Sequence, residues 1–184
     1  MTKRRKRLTL NDFQKKMAKF KEYLNQVKAF VFDVDGVLAD EQVVVLTDGK
    51  LGRLLNAKDG YAMREALKAG YPIGIITGAS NPLLRQRFLV TGVHDLYFKS
   101  KDKLEDIHHF MNKHGLKPEE VLFMGDDIPD IAALKAVGVP VAPANAAPEV
   151  KALALYISDK DDGKGCVRDI LEQVLKAQGK WPAG

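Results

Sequence analysis

Short apolar runs alternate with helix-length segments along most of this 184-residue chain. The runs are VKAFVFDVD, IGIIT, HDLYF, VLFMG, VPVA and ALYIS. Short, continuous apolar runs of this kind are typical of strands that are buried on both faces of a parallel sheet. Helices between parallel strands make right-handed crossovers and cover both faces of the sheet. The pattern therefore predicts an α/β fold with a doubly wound, Rossmann-like parallel sheet.

The segments between these runs carry helix and turn signals. Helices are predicted over 59–69, from about residue 82, over 102–114, over 128–137 and over 165–177, with a short helix after VPVA. The dipeptide Asp48-Gly49 lies between β-branched residues and predicts a β-hairpin after the first strand.

The spacing of the chain leaves little room for a second domain. Only 43 residues separate Asp35 from Gly78, and they already hold the hairpin, a helix and a strand. Another 25 residues link Gly78 to Lys103 and hold a helix and a strand. The sequence therefore predicts one main domain without a cap domain.

The basic charge of the chain is concentrated at its N-terminus. Residues 1–21 hold nine Lys or Arg and one acidic residue, although the net charge of the whole chain is only +5. Apolar residues recur there at helical spacing, at Phe13, Met17, Phe20 and Leu24. We predict a basic amphipathic helical extension over 1–26, with a helix from about residue 9, and a main domain over 27–184. The extension could bind nucleic acid or an anionic surface, or it could be solvated. It lacks the interleaved aromatic residues of a nucleic-acid platform, so nucleic acid is not the expected partner.

Cysteine usage and hydropathy predict a cytoplasmic protein. The single cysteine, Cys166, cannot form an internal disulfide, which fits a reducing compartment. No apolar run approaches the roughly 20 residues of a membrane span, and no apolar segment of a signal peptide follows the basic start. We expect no membrane contact, and we expect Cys166 to be a packing residue rather than a nucleophile.

Polar residues follow four of the predicted strands, at the edge where open parallel sheets bind ligands. Asp33 and Asp35 follow the first strand, Thr77 ends IGIIT, and Lys103 comes shortly after HDLYF. The motif GDDIPD, residues 125–130, follows VLFM. Each motif alone could be a turn, a helix cap or a surface lysine. Their convergence on one edge of the sheet favours a shared site.

The residue types in this set suit phosphoryl transfer. Asp33 could attack phosphorus and form an aspartyl phosphate. Attack on an anion needs a neutralising cation such as Mg²⁺, for which Asp33 and Asp126 could be side-chain ligands. Asp35 could protonate the leaving oxygen and then activate water. Thr77 and Lys103 could hold the phosphoryl oxygens as charge develops.

These motifs resemble those of the haloacid dehalogenase superfamily of phosphatases. They are DVDGVL (33–38), IITG (75–78), Lys103 in SKDKL, and GDDIPD (125–130). The resemblance implies that Asp33 is the nucleophile and Asp35 the acid/base. It also implies that Thr77 and Lys103 bind the phosphoryl group. The implied magnesium ligands are the side chains of Asp33 and Asp126 and the backbone carbonyl of Asp35. Aspartate at the second acidic position favours phosphatases over dehalogenases.

An uncapped active site must be covered by a macromolecular substrate or by neighbouring subunits. The segments NAKDGYAMREAL (56–67) and DGKGCVRDILEQVLKAQGKW (162–181) resemble the capless, tetrameric phosphatases of the superfamily that act on 3-deoxy-D-manno-octulosonate 8-phosphate. In that group the hairpin builds the oligomer and a glycine-rich tail reaches a neighbouring site. The resemblance implies a small phosphorylated sugar acid as substrate and a homotetramer. The implied substrate-binding residues are Asn56, Asp59, Gly60, Arg64 and Arg87.

The sequence differs from these phosphatases at two positions that would bind the sugar acid. Lys58 and Ala79 stand where arginines are expected. A nine-carbon keto-sugar acid 9-phosphate is therefore an alternative substrate. A phosphatase for protein or nucleic-acid phosphate, recruited by the basic extension, and a non-catalytic interaction module are further alternatives. The main prediction is a magnesium-dependent phosphomonoesterase for a keto-deoxy sugar acid phosphate in lipopolysaccharide biosynthesis.

Overall fold

A computed structural model describes residues 20–42, 44–47 and 51–182. Its strands are β1 (Ala29–Phe32), β2 (Val44–Val45), β3 (Leu51–Gly52), β4 (Ile73–Thr77), β5 (Asp95–Phe98), β6 (Val121–Met124), β7 (Val139–Ala142) and β8 (Tyr156–Ile157). Six of them form a parallel sheet in the order β5-β4-β1-β6-β7-β8. The chain therefore winds outward from β1 in both directions, which confirms the predicted doubly wound sheet and places the ends of β1, β4 and β6 side by side.

The helices are α1 (Ala57–Lys68), α2 (Pro82–Thr91), α3 (Lys103–His114), α4 (Ile131–Ala136), α5 (Pro148–Leu153) and α6 (Cys166–Ala177). Side-chain caps set three of their starts. Asn56, Asn81 and Asp102 each accept a hydrogen bond from a backbone N–H in the first turn of the helix that follows. The Asn56 cap explains why α1 begins two residues before the predicted start at 59.

The helix predicted over 128–137 was wrong in its first turn. Residues Ile128–Asp130 form a 3₁₀ turn, and α4 begins only at Ile131. Pro129 supplies no backbone donor, and the Asp130 carboxylate accepts hydrogen bonds from the N–H groups of Asp126 and Asp127. These contacts tighten the turn and direct Asp130 toward the end of β6.

Two apolar layers cover the sheet. On one face, Phe30 and Phe32 of β1 pack in a buried cluster that includes residues of α1, α2 and α6. On the other face, Val31 packs with Phe110 of α3 and with residues of α4 and α5. Consecutive β1 side chains thus point to opposite faces and every β1 residue is buried, as expected for a central parallel strand.

The predicted hairpin is present after β1. Strands β2 and β3 pair antiparallel, with Val44 opposite Gly52, while the Asp48-Gly49 turn lies outside the described residues. A further backbone bridge joins Ala39, in the loop after β1, to Leu55 after β3. In the described chain between β1 and β4, the hairpin and α1 are the only named elements, so no cap domain is found there.

The described end of the basic extension packs on the body of the molecule. Residues 20–24 are helical, and Phe20 is buried with its ring stacked on Tyr156 at 4.5 Å between centroids. Residues 1–19 lie outside the described residues, and the domain boundary at residue 26 stays a prediction. None of the helices within the described ranges is long and apolar enough to span a membrane. The free Cys166 is buried and contacts the carbonyl of Val37, which confirms a packing role.

Candidate active site

Four of the predicted catalytic and metal-binding residues meet at the carboxyl edge of the sheet. Asp33 directly follows β1, Thr77 is the last residue of β4, and Asp126 comes two residues after β6. Lys103 is the first residue of α3, the helix that follows β5. The Asp33 N–H donates to the carbonyl of Met124 at 3.1 Å, which extends the β1–β6 ladder into the site. The sheet therefore brings these side chains to one rim.

Lys103 joins two carboxylates inside this rim. Its Nζ lies 2.7 Å from Asp33 Oδ2 and 2.6 Å from Asp130 Oδ1, and all three side chains are largely buried. The second oxygen of Asp130 accepts the N–H groups of Asp126 (2.9 Å) and Asp127 (3.3 Å). Asp130 therefore holds both Lys103 and the loop after β6. The sequence predicted no role for Asp130, although the motif GDDIPD contains it.

Asp33, Asp126 and Asp130 form an acidic cluster. Each offers one carboxylate oxygen, and these oxygens lie within 4.8 Å of one another. Burial, together with the charge of Asp130, raises the pKa of Asp33 to about 7 despite the opposing effect of Lys103. Burial and the charges of Asp130 and Asp33 raise the pKa of Asp126 to about 8. The cluster has more negative charge than Lys103 neutralises, so a divalent cation would stabilise it.

The donor set fits a hard cation such as Mg²⁺, which prefers carboxylate and carbonyl oxygens. The acidic cluster contains both Asp33 and Asp126, the side chains that would hold the cation, while the two oxygens of its third member, Asp130, bind Lys103 and the backbone. This is the pair predicted from the sequence. The backbone carbonyl of Asp35 stays a predicted ligand.

Gly36 allows the loop after β1 to pass against Asp126. Its φ is +83°, a conformation that side chains rarely adopt. A Cβ at this position would lie 2.0 Å from Asp126 Oδ2. The glycine of DVDG is therefore required both by backbone conformation and by the approach of Asp126.

Thr77 lies in a second backbone framework at the rim. Its side chain is buried, and its Oγ1 accepts the N–H of Ala79 at 3.1 Å. The N–H of Ser100 donates to the Thr77 carbonyl and that of Lys99 to the Ala79 carbonyl, both at 3.0 Å. These bonds fix the loop that leads into Lys103. Lys99 has a φ of +59° in this loop.

Asp35 makes an ion pair that the sequence did not predict. The guanidinium of Arg53, just after β3, donates to both carboxylate oxygens, from Nε to Oδ1 and from Nη2 to Oδ2 at 2.9 Å. Hydrogen bonding to Asp35 raises the pKa of Arg53. No local sequence signal marks Arg53, because its position depends on the hairpin and on the bridge between Ala39 and Leu55.

Four of the five predicted substrate-binding residues line one narrow cavity, namely Asn56, Asp59, Gly60 and Arg87. Arg64 is exposed and is not among the residues that line it. A wider groove of about 980 Å³ adjoins the cavity and shares Leu55 and Arg87 with it. The groove is also lined by Arg53. The substrate contacts of all five residues stay predictions.

Two of these cavity residues also connect α1 to the C-terminal region. The Asn56 side chain donates to the carbonyl of Gly163 at 3.2 Å. Asp59 Oδ1 accepts the N–H of Arg168 at 2.7 Å, in the first turn of α6, where Gly165 offers no side-chain cap. Asp59 Oδ2 has no hydrogen-bond partner among the described residues. Burial raises the pKa of Asp59 to about 6, although the contact with Arg168 opposes the shift.

Comparison with known proteins agrees with this site. A family model described as haloacid dehalogenase-like hydrolase matches residues 87–170. The 3-deoxy-D-manno-octulosonate 8-phosphate phosphatase KdsC of Salmonella typhi is 34% identical over 154 residues, which are 84% of this chain and 82% of that protein. The chain belongs to the haloacid dehalogenase-like hydrolases.

Solved structures similar to this member of the family include phosphatases. One is the structure of the 3-deoxy-D-manno-octulosonate 8-phosphate phosphatase of Moraxella catarrhalis in complex with magnesium, phosphate and KDO. Its TM-score is 0.85 at 29% sequence identity, and the similarity covers 89% of this chain and 94% of that chain. The cobalt-bound phosphatase of Haemophilus influenzae has a TM-score of 0.82 at 28% identity, covering 86% and 92%. This haloacid dehalogenase-like hydrolase is accordingly a phosphoric monoester hydrolase.

The contact between Gly36 and Asp126 gives a test of the cation site. We expect Gly36→Ala to lower Mg²⁺ affinity and phosphatase activity at least about 10-fold, because the new methyl group displaces a ligand. Calorimetric titration with Mg²⁺ and a phosphate-release assay measure both. Gly70→Ala is the matched control, since Gly70 has a φ of +89° but no atom within 4 Å of the position that a Cβ would take. Equal losses in both variants would contradict the ligand-displacement explanation.

The raised pKa of Asp59 predicts a pH-dependent difference in stability. The folded-state pKa of about 6 exceeds the ordinary value of 3.8, so the stability that Asp59 contributes is present below pH 3.8 and is lost as pH rises through 6. Asp59→Asn does not titrate. Between pH 4 and pH 7 its free energy of unfolding should gain about 2 kcal/mol relative to the unmodified protein. Urea denaturation at several pH values measures this, with Asp159→Asn, at an exposed side chain, as the control substitution. A difference that is constant with pH would refute the assignment.

Proposed function

We propose that this phosphatase is a Mg²⁺-dependent enzyme that hydrolyses 3-deoxy-D-manno-octulosonate 8-phosphate through an aspartyl phosphate on Asp33. The observation that carries the proposal is the position of Asp33, between the buried ammonium of Lys103 and the carboxylate of Asp126. A nucleophilic carboxylate needs positive charge beside it, because it must approach an anion. Lys103 supplies one such charge, and a cation held with the help of Asp126 would supply another. The similarity to KdsC and to the Moraxella structure with magnesium, phosphate and KDO supports the choice of substrate.

The residues of the rim divide the reaction into two displacements. The N–H of Val34 donates to Asp33 Oδ1 at 2.7 Å, and Lys103 donates to Oδ2, so the carboxylate is oriented before substrate arrives. An Asp33 oxygen attacks phosphorus and the bond to the sugar oxygen breaks, while Asp35 gives that oxygen a proton. Asp35 then takes a proton from the water that attacks the aspartyl phosphate, which releases phosphate and restores Asp33.

Charge stabilisation comes from groups fixed before the reaction. Asp33 and Asp126 would hold Mg²⁺, which when bound would supply positive charge against the repulsion between carboxylate and phosphate. Lys103 and the Thr77 hydroxyl lie at the same rim and can hold phosphoryl oxygens as charge moves between them. Asp130 keeps Lys103 in place when Asp33 becomes phosphorylated, because its contact with Nζ does not involve the nucleophile.

We also propose a cytoplasmic homotetramer that assembles through the hairpin. The hairpin and its flank expose several large apolar side chains, Val44, Val45, Leu46, Leu51 and Leu54. Contiguous exposed apolar residues are characteristic of surfaces that other subunits cover. A neighbouring subunit would also shield the active site, over which the described residues form no cap domain. The cytoplasmic location is supported by the free, buried Cys166.

The nucleophile assignment is tested with Asp33→Asn. An amide is a poor nucleophile and a weak metal ligand, so we expect release of phosphate from 3-deoxy-D-manno-octulosonate 8-phosphate to fall by at least about 10⁴-fold while the fold persists. Phosphate release with Mg²⁺ present and circular dichroism measure the two outcomes. Asp159→Asn, on an exposed side chain, is the control. Turnover retained by Asp33→Asn would remove the proposed mechanism.

The proposed tetramer can be tested by placing a charged side chain on the exposed face of the hairpin. Val45 is 71% exposed, and we expect Val45→Lys to shift the particle from tetramer toward smaller species, because a buried lysine at the interface costs solvation energy. Light scattering coupled to gel filtration measures the mass. Val90→Lys, at a side chain of α2 that is 72% exposed, is the matched control. An unmodified protein that is already monomeric and active would contradict the proposed assembly.

A further inference from the structure

The Arg53–Asp35 ion pair connects the proposed acid/base to the groove beside it. Arg53 donates to both Asp35 oxygens, and its own side chain is only 11% exposed, whereas the Asp35 carboxylate is 40% exposed. The bridge between Ala39 and Leu55 holds the segment after β3, which carries Arg53, against the loop that carries Asp35. The pair is therefore a fixed part of the site and not a chance contact of two surface chains.

The ion pair with Arg53 engages the carboxylate of Asp35, which the proposed reaction needs as its acid/base. In the proposed reaction Asp35 must take up a proton from water, once Arg53 has left it, and give that proton to the leaving oxygen. In the structure both of its oxygens accept hydrogen bonds from Arg53, so neither is directed to a leaving group. Arg53 must turn away before Asp35 can act. A guanidinium that is nearly buried does not leave a carboxylate at low cost unless another anion takes its place.

The groove offers a place for that anion. Its volume of about 980 Å³ is sufficient for a sugar-sized ligand, and Arg53 forms part of its wall together with Ala79, Asn81 and Arg87. Arg53 thus borders both Asp35 and the space where the remote part of a substrate would lie. A substrate carboxylate in the groove could accept hydrogen bonds from the two coplanar N–H donors of Arg53, in the same way as the carboxylate of Asp35.

We propose that Arg53 is a specificity-determining residue that a carboxylate on the substrate draws away from Asp35. Phosphate esters with a carboxylate then release the acid/base on binding, and esters without one leave Asp35 held. This inference rests on the proposed function for the role of Asp35 and extends it by assigning the carboxylate preference to one side chain. Arg53 acts on the reaction through Asp35, so it is a positioning residue for the proton transfer.

The test compares two substrates that differ only in one charge, 3-deoxy-D-manno-octulosonate 8-phosphate and its carboxyl methyl ester. For the unmodified enzyme, kcat/KM should favour the free acid. In Arg53→Met we expect kcat/KM for the acid to fall about 10- to 100-fold, because a charge-assisted pair is lost. We expect kcat for the methyl ester not to fall, because Asp35 is no longer held. The preference for the acid should therefore largely disappear.

Two further variants separate this role from a structural one. Arg53→Lys keeps the charge without the paired donors and should retain part of the preference. Arg85→Met removes an exposed arginine that stacks on Phe98 outside the groove and should leave the preference unchanged. If Arg53→Met does not fold, as judged by circular dichroism, Arg53→Lys and Arg53→Gln provide the comparison. Equal losses on acid and ester, or an unchanged preference, overturn the inference.

Failure of the proposed substrate would be seen separately. If the unmodified enzyme hydrolyses neither octulosonate compound, the substrate assignment is wrong. The same variants are then compared on 3-phosphoglycerate and glycerol 3-phosphate, which differ by a carboxylate. A preference for the carboxylate that Arg53→Met removes supports the inference. An unmodified enzyme without that preference, or without activity on either ester, overturns it.

Discussion

The buried contact of Lys103 with Asp33 and Asp130 is the interaction on which the site depends. Without a cation from the protein, clustered carboxylates at the end of β1 and β6 would repel one another in a poorly hydrated environment. Lys103 offsets part of that repulsion and joins α3 to both strands. The remaining excess of negative charge is unfavourable for stability, but it creates affinity for a divalent ion. The clustered carboxylates thus lower the stability of the fold and at the same time form a site suited to phosphoryl transfer.

Much of the fold could be predicted because it depends on local patterns. The strand Ile73–Thr77 agrees with the predicted run at both ends, since a segment that is apolar up to Thr77 and is bounded by proline and glycine has few alternatives. The meeting of the proposed catalytic side chains at one rim could also be predicted, because parallel strands bring their carboxyl ends together whatever the rest of the chain does. The start of α1 differed because the side chain of Asn56 caps the helix earlier than the charge pattern indicates.

The residues that could not be predicted are those whose positions depend on long-range contacts. Arg53 reaches Asp35 only because the hairpin is bridged to the loop after β1. The sequence predicts that Asp59 binds substrate. In the structure one of its carboxylate oxygens accepts the backbone N–H of Arg168 in α6, more than a hundred positions along the chain. Arg64 follows in the same helical segment but faces solvent. Sequence spacing alone does not show which polar side chain pairs with another, which one binds a distant backbone group and which one faces solvent.

The attachment of α1 to the C-terminal region has a consequence for biosynthesis. Asn56 and Asp59 bind backbone groups of residues 163 and 168, which leave the ribosome long after the first five strands of the chain. A nascent chain can form β1, the hairpin and β4 early, but the Asp59 carboxyl lacks the Arg168 N–H until the final helix is synthesised. The hydrogen bonds that fix Asn56 and Asp59 in the wall of the cavity therefore form late. Chains interrupted before α6 would expose the apolar face that α6 covers to chaperones and proteases.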